Sequence, residues 1–237
     1  AAVPVPNNSS PSPVPTPPTP FSRRTGINST LMVPQGERLA TKIRVRLLEP
    51  EDSLAHLTGL LHRAYKQHAD RGLKTLAAFQ PEEVTRNRIA DGECFVATYL
   101  GKVVGTIMFK TPEQTRRSWP TVPWFSVPGQ HPLPPSGVAT FSQFAVEPEY
   151  QGRGIGSELM KIVETRTRQA GAAETALSTP EPAEWLVQMY QRYGYRIVEH
   201  WVWPGANYTS VIMSKPAPAE VSPVVLAAPS SASLGRR

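Results

Sequence analysis

From Phe144 to Ser157 the chain reads Phe-Ala-Val-Glu-Pro-Glu-Tyr-Gln-Gly-Arg-Gly-Ile-Gly-Ser, an apolar strand that passes through three alternating glycines into an amphipathic helix. The chemistry this spacing suits is the binding of a pyrophosphate. Gly152, Gly154 and Gly156 remove side chains where a turn becomes a helix, so several backbone N–H groups can converge on one anion. The helix that follows adds unpaired amides and the positive end of its dipole. Two other glycine patterns are excluded by their own requirements. A dinucleotide fingerprint begun at Gly152 needs glycine at 157, where Ser157 stands, and the chain has no Gly-Lys-Ser/Thr triplet for a P-loop. A turn with glycines for packing alone is the structural alternative.

The pattern that does match is Gln151-x-x-Gly154-x-Gly156, preceded by Val146-Glu-Pro-Glu-Tyr150. It resembles the Q/R-x-x-G-x-G/A signature of the GNAT superfamily of acetyl-CoA-dependent N-acetyltransferases. A second stretch, Met189-Tyr-Gln-Arg-Tyr-Gly-Tyr195, resembles that family's late signature, in which a tyrosine precedes a Gly-aromatic pair by four residues. This places Tyr190 at a helix end, Gly194 at the C′ position and Tyr195 at the start of the next strand. The family often carries asparagine seven residues before the tyrosine; Ala183 stands there, so any coenzyme contact from that side chain is lost.

The resemblance implies acetyl transfer from acetyl-CoA, as co-substrate, to a primary amine of a small molecule or a protein, by direct attack in a ternary complex. It implies coenzyme binding along Phe144, Ala145 and Val146, on a strand that splays from its neighbour at a bulge. The Val146 amide is the expected donor to the thioester carbonyl, and the amides of Gln151, Gly152, Arg153, Gly154, Ile155, Gly156 and Ser157 are expected to hold the pyrophosphate. Such a preoriented donor contributes roughly 3 to 4 kcal/mol. Tyr190 is the candidate general acid, since a phenol of pKa about 10 is protonated at rest and can donate to a leaving thiolate; packing between helix and sheet is its alternative role. An acceptor amine is protonated at neutral pH, so a base is needed. Many family members place a glutamate on the central strand, where this chain has Ser142 and Gln143. His68, Asp70, His131 and His200 are open as bases, as is a water relay from Ser142 or Gln143, while Glu147 and Glu149 read as solvent-facing. No metal is called for. The runner-up function is a non-catalytic acyl-CoA-binding regulatory module of the same fold.

Composition limits the rest. Eight of the first twenty residues are proline, and the tail mixes Pro, Ala and Ser without amphipathic pattern, so 1–40 and 216–237 read as disordered extensions of one domain over 41–215. The P-x-x-P spacings in Val14–Pro20 could dock on an aromatic groove or be plain solvated chain. The net charge of +6 divides into +2 and +1 in these tails and +3 in the domain, which argues against a nucleic-acid face. No run approaches the roughly eighteen apolar residues that span a bilayer, and the chain reads as soluble and cytoplasmic. Cys94, the one cysteine, reads as a buried structural thiol.

To position these groups, the hydrophobic periods call for an α/β fold. They predict a strand at Ile43–Leu48, a helix bearing Leu54, Leu57, Leu60, Leu61 and Tyr65, and a helix over 81–90. A hairpin of 94–100 and 103–110 turns through Gly101-Lys102. A central strand at 140–146 leads into a helix at 154–169 with Ile155, Leu159, Ile162 and Val163 on one stripe. A strand at 174–178, a helix at 182–193 and a hairpin of 195–203 and 208–214 complete the domain. This order agrees with the GNAT fold: a mixed, mostly antiparallel twisted sheet of about seven strands, splayed at its centre and flanked by about four helices. The proline-rich stretch 111–139 shows little periodicity and reads as a substrate-side lid, a cover over a sheet edge, or disorder. Trp201, Trp203 and Tyr208 leave open a homodimer surface or a cover for the core.

Overall fold

In the computed structural model, described residues are 43–119, 122 and 137–217. Residues 1–42, those from 218 on and most of the proline-rich stretch, including Trp124, Phe125 and His131, lie outside them. Among the described residues seven strands form one sheet in the order β1-β2-β3-β4-β5-β7-β6, where β1 is Ile43–Leu47, β2 Glu93–Tyr99, β3 Lys102–Lys110, β4 Val138–Val146, β5 Glu174–Pro180, β6 Arg196–Trp201 and β7 Ser210–Pro216. Only β4 and β5 run parallel; every other neighbouring pair is antiparallel. Five α-helices lie among the described residues: α1 Leu54–Asp70, α2 Glu82–Ala90, α3 Pro112–Ser118, α4 Ile155–Gln169 and α5 Glu184–Arg192. None is long and apolar enough to cross a membrane.

Local chemistry accounts for the element ends. Ser53 caps α1, its hydroxyl accepting from His56 N–H at 3.1 Å. The β2–β3 hairpin turns on Leu100 and Gly101, at φ 51° and 79°, one residue earlier than the sequence suggests. Two successive positive φ values match the twist of a tight hairpin, and the side chain of Leu100 is exposed. The stretch after β3 is not without helix: Thr111 and Gln114 form a reciprocal capping box and Pro112 begins α3. Seven residues are too few for a hydrophobic period to show, and the cap was the available signal.

The sheet is covered on both faces. Leu57, Leu60 and Leu61 of α1 pack with Cys94, Val96, Met108 and Ala145 on one side. Ile155, Leu159, Met160 and Val163 of α4, with Tyr190 and Tyr195, pack against Phe95, Ile107, Phe109 and Phe141 on the other. Ile162, expected on that stripe, is only half-buried, and Met160 takes the buried place. Each fully buried aliphatic side chain contributes about 1.5 to 3 kcal/mol. Gly105 on β3 lets α4 approach, since a Cβ there would stand 3.2 Å from Ala145 O, Ile155 Cγ2 and Leu159 Cδ1. Cys94 is buried and its thiol is pushed up to about 11 by burial. Trp203 donates its indole N–H to Ser178 Oγ at 2.8 Å and packs on Trp119 at a ring distance of 5.2 Å, and Trp201 and Trp203 lie against Val138, Ala176 and Ile212 of the sheet.

Candidate active site

The central strand is paired on both sides only at its start. β5 follows β4 in parallel from Val138 to Thr140 and then departs, so from Phe141 to Val146 one edge of β4 faces no strand among the described residues. A bulge accompanies the parting. Met108 lies opposite Ser142 and Thr106 opposite Ala145, which leaves two residues, Gln143 and Phe144, facing Ile107 alone, with Gln143 at φ 50°. Past the bulge, Glu147 N–H donates to Val104 O at 2.9 Å. Main-chain groups alternate along an antiparallel strand, so the N–H and C=O of Val146 turn to the open edge. The Val146 carbonyl accepts from Gln151 Nε2 at 3.0 Å, and the Phe144 carbonyl accepts from the Tyr65 hydroxyl at 3.3 Å. The Val146 N–H remains a donor to whatever occupies that edge. Ala145 lies on the same stretch, but its main chain faces Thr106 on β3.

The glycine turn continues directly from this edge. Pro148–Tyr150 forms a single 3₁₀ turn, and Gln151 N–H is spent on Pro148 O at 3.3 Å. Gly152 and Gly154 then take φ values of 72° and 84°, with open space where a Cβ would stand; conformation, and not crowding, is what demands glycine at these two positions. Gly154 is the N-cap of α4 and the first helical bond runs from Glu158 N–H to Gly154 O. The amides of residues 152–157 have no intramolecular acceptor among the described residues. The free run therefore starts one residue later than expected. Gly156 serves closeness instead: a Cβ there would meet Phe144 Cζ at 3.2 Å. Arg153 stands over the Tyr150 ring at 5.4 Å, and the Ser157 and Tyr193 hydroxyls lie 3.2 Å apart.

Tyr190 reaches the same cleft, of about 970 Å³, from the other side of the splay. Its carbonyl accepts from Tyr195 N–H at 3.0 Å while Gln191 O accepts from Gly194 N–H at 2.9 Å; with Gly194 at φ 88° this is the helix end that the Gly-aromatic pair foretells. The ring rests on Phe141 and Tyr195 at 6.0 and 6.1 Å. Burial raises its pKa well above that of an ordinary phenol, so it stays protonated, and its hydroxyl has no hydrogen-bond partner among the described residues. Tyr190 thus belongs to the core cluster and also lines the cleft.

Of the base candidates, the structure brings His68, Ser142 and Gln143 to the cleft wall. His68 ends α1 between Tyr65 and Trp185, with ring centroids at 5.2 and 5.8 Å, and its Nδ1 is buried without a partner. Burial, with Arg71 nearby, lowers its pKa, so the ring is neutral at neutral pH. Asp70 is exposed and paired with Lys66, and His200 lies 3.3 Å from Glu181 on the outer hairpin; neither lines the cleft, and His131 lies outside the described residues. Glu147 is not solvent-facing. It is buried, bonded by Arg63 Nε at 2.9 Å and Nη2 at 2.5 Å, and that guanidinium holds its carboxyl below the usual range. The partner is 84 residues away in sequence, which is why no local pattern announces it.

Two cleft residues have no signal of function in the sequence. Tyr65 sits on the apolar stripe of α1 and reads as core, yet its hydroxyl touches the open edge of β4; burial pushes that hydroxyl up to about 12, with the charge of Arg88 opposing. Arg88 sits on an otherwise charged, weakly amphipathic helix.

Residues 58–195 match the family model described as Acetyltransferase (GNAT) family. The S-(2-succino)cysteine N-acetyltransferase of Bacillus subtilis is 30% identical over 156 residues, 65% of this chain and 84% of that protein. The S-alkylcysteine N-acetyltransferase of the same organism is 36% identical over 73 residues, 30% of this chain and 41% of that one. Among solved structures, a GNAT family acetyltransferase from Elizabethkingia anophelis with acetyl-CoA bound aligns with a TM-score of 0.50 at 15% identity, covering 74% of this chain and 98% of that one. An acetyltransferase from Streptococcus agalactiae aligns with a TM-score of 0.51 at 18% identity, covering 74% and 98%. At these identities the structural likeness bears on the fold alone.

Proposed function

Because the chain belongs to the GNAT acetyltransferase family and is an acetyl-CoA-dependent N-acetyltransferase, we propose that its acceptor is the α-amine of a small S-substituted cysteine, acetylated in a cleft built from β4, the glycine turn and α5, in a cytoplasmic enzyme. The acceptor class follows the two bacterial relatives, whose named acceptors share a thioether-bearing cysteine. The observation that carries the site assignment is the continuity of unspent donors, from Val146 N–H on the open edge to the amides of residues 152–157 at the start of α4.

Those donors fit acetyl-CoA. The amides of Gly152 to Ser157 suit its pyrophosphate, and the open edge of β4 suits an extended amide-bearing arm that bonds as a strand would. When bound, acetyl-CoA supplies an acetyl thioester and departs as the free thiol. Val146 N–H is the donor for the thioester oxygen as negative charge grows on it, fixed by the β3–β4 pairing before any ligand arrives. Tyr190 donates its phenolic proton to the sulfur. His68 is the base: neutral because it is buried, it takes the proton that the acceptor amine must lose. Tyr65 braces the edge at Phe144.

The test is release of free thiol from acetyl-CoA with S-methylcysteine, lysine, a polyamine and a peptide N-terminus as acceptors, at matched concentrations. The expected order puts S-methylcysteine first by at least about tenfold in kcat/KM. Preference for the peptide or the polyamine overturns the acceptor assignment and leaves the cleft chemistry standing.

A further inference from the structure

The part of the cleft away from the glycine turn is lined from α1, α2 and the 3₁₀ turn Leu76–Ala78. Three residues there and on β4 carry buried polar atoms without a partner: His68 Nδ1, Thr75 Oγ1 and Gln143 Nε2. Each of the three is no more than 5% exposed and lines the cleft. Arg88 joins them. Its Nη1 donates to Gln80 Oε1 at 2.7 Å, which uses one of five N–H donors, and among the described residues no carboxylate comes within ion-pair distance of it.

This sets Arg88 apart from the other partly buried arginines. Arg46 and Arg166 each hold a carboxylate at 2.6 Å or less. Arg88 is held instead by a neutral group that is itself fixed. Gln80 is fully buried, its Nε2 donates to Thr85 Oγ1 at 2.7 Å, and the Thr58 hydroxyl donates to the same oxygen at 2.9 Å. A guanidinium removed from water without a counter-ion is costly, and burial does lower its pKa. Its charge is felt at the Tyr65 hydroxyl, which touches the open edge of β4. A fixed fork of cationic donors, with a hydroxyl and a primary amide unspent on the same cleft, is the surrounding a carboxylate requires. A cationic acceptor would be repelled.

We propose that Arg88 binds the α-carboxylate of the acceptor, with Thr75 and Gln143 as the neutral donors of that subsite, an assignment that rests on the amino-acid acceptor read above. It makes Arg88 a specificity residue: it selects amines that carry a neighbouring carboxylate and orients the α-amine toward the thioester.

The experiment compares wild type, Arg88→Met and Arg88→Lys with S-methylcysteine and with S-methylcysteinamide, following thiol release from acetyl-CoA. Arg88→Met raises KM for S-methylcysteine about 10- to 100-fold and leaves KM for the carboxamide unchanged; Arg88→Lys recovers part of the loss. Equal effects on the two acceptors overturn the assignment, as does a matching rise in KM for acetyl-CoA. If Arg88→Met fails to fold, the lysine variant and the wild-type preference for acid over amide decide it, and no such preference overturns it. Turnover of neither acceptor by wild type that binds acetyl-CoA overturns the acceptor reading and the arginine assignment with it; turnover of both with an equal Arg88 effect sinks the arginine assignment alone.

Discussion

Replacing Gly154 by alanine and by aspartate separates the shape of the glycine turn from its charge. Gly154 caps α4 at φ 84° with no atom within 4 Å of a would-be Cβ, so alanine meets no clash and pays only for the left-handed backbone, about 1 to 2 kcal/mol. For a folded region of this size that lowers Tm by roughly 2 to 8 °C. Aspartate adds to the same strain a negative charge among the free amides of residues 152–157. At about 5 Å from a phosphate, a pair of unit charges interacts by about 1 to 3 kcal/mol for effective dielectric constants between 80 and 20. Two phosphates then weaken binding by about 2 to 4 kcal/mol after salt screening, a rise in Kd of about 30- to 700-fold. The assay is calorimetric titration with acetyl-CoA and with CoA, beside thermal unfolding of each variant. Alanine binds within about threefold of wild type and aspartate does not. Equal affinities for the two variants, with both folded, would refute the anion site and return the turn to a packing role.

Tyr190→Phe keeps the ring that packs on Phe141 and Tyr195 and removes only an unbonded hydroxyl, so kcat falls about 10²- to 10³-fold while stability and acetyl-CoA affinity hold; single-turnover thiol release and calorimetry check this, and an unchanged kcat rejects Tyr190 as the acid. Because burial lowers the His68 pKa, kcat/KM is level at pH 6.5 and above and its acidic limb lies lower than that of an ordinary imidazole, a limb that His68→Gln abolishes along with most of the rate. The same shift has a stability sign: as pH falls past about 6.5 the unfolded chain binds the proton first, so stability is complete above that value and declines below it, as urea titrations at two pH values will show. Glu147, held low by Arg63, contributes stability above its ordinary carboxylate range that is lost as pH falls through its depressed value. Glu147→Gln should lose only about 0.5 to 1.5 kcal/mol near neutrality, since Arg63 is half-exposed, and its gap from wild type should narrow in acid.

The local grammar of this chain was written in its sequence. Ser53 before α1, Gly154 before α4 and Gly194 after α5 each mark an element end through backbone preferences that act within a few residues, and the glycine turn and Tyr190 were legible for the same reason. The hairpin turn at Leu100-Gly101 and the short helix α3 show the limit of that grammar, where a one-residue shift or a seven-residue element leaves no period to read. What tertiary structure alone decided is everything that depends on partners far apart in the chain. The parting of β4 from β5 after Thr140, the bulge at Gln143 and the turning of Val146 N–H to the open edge follow from register between strands. Glu147 becomes a buried partner of an ion pair because Arg63 of α1 reaches it, and Tyr65 packs on the core while its hydroxyl reaches the Phe144 carbonyl. Among the described residues Arg88 has Gln80 and the cleft around it and no carboxylate within ion-pair distance. Backbone preference is a property of a residue and its neighbours; burial, charge balance and unspent hydrogen bonds are properties of the space the folded chain encloses, and the chemistry of this site is set there.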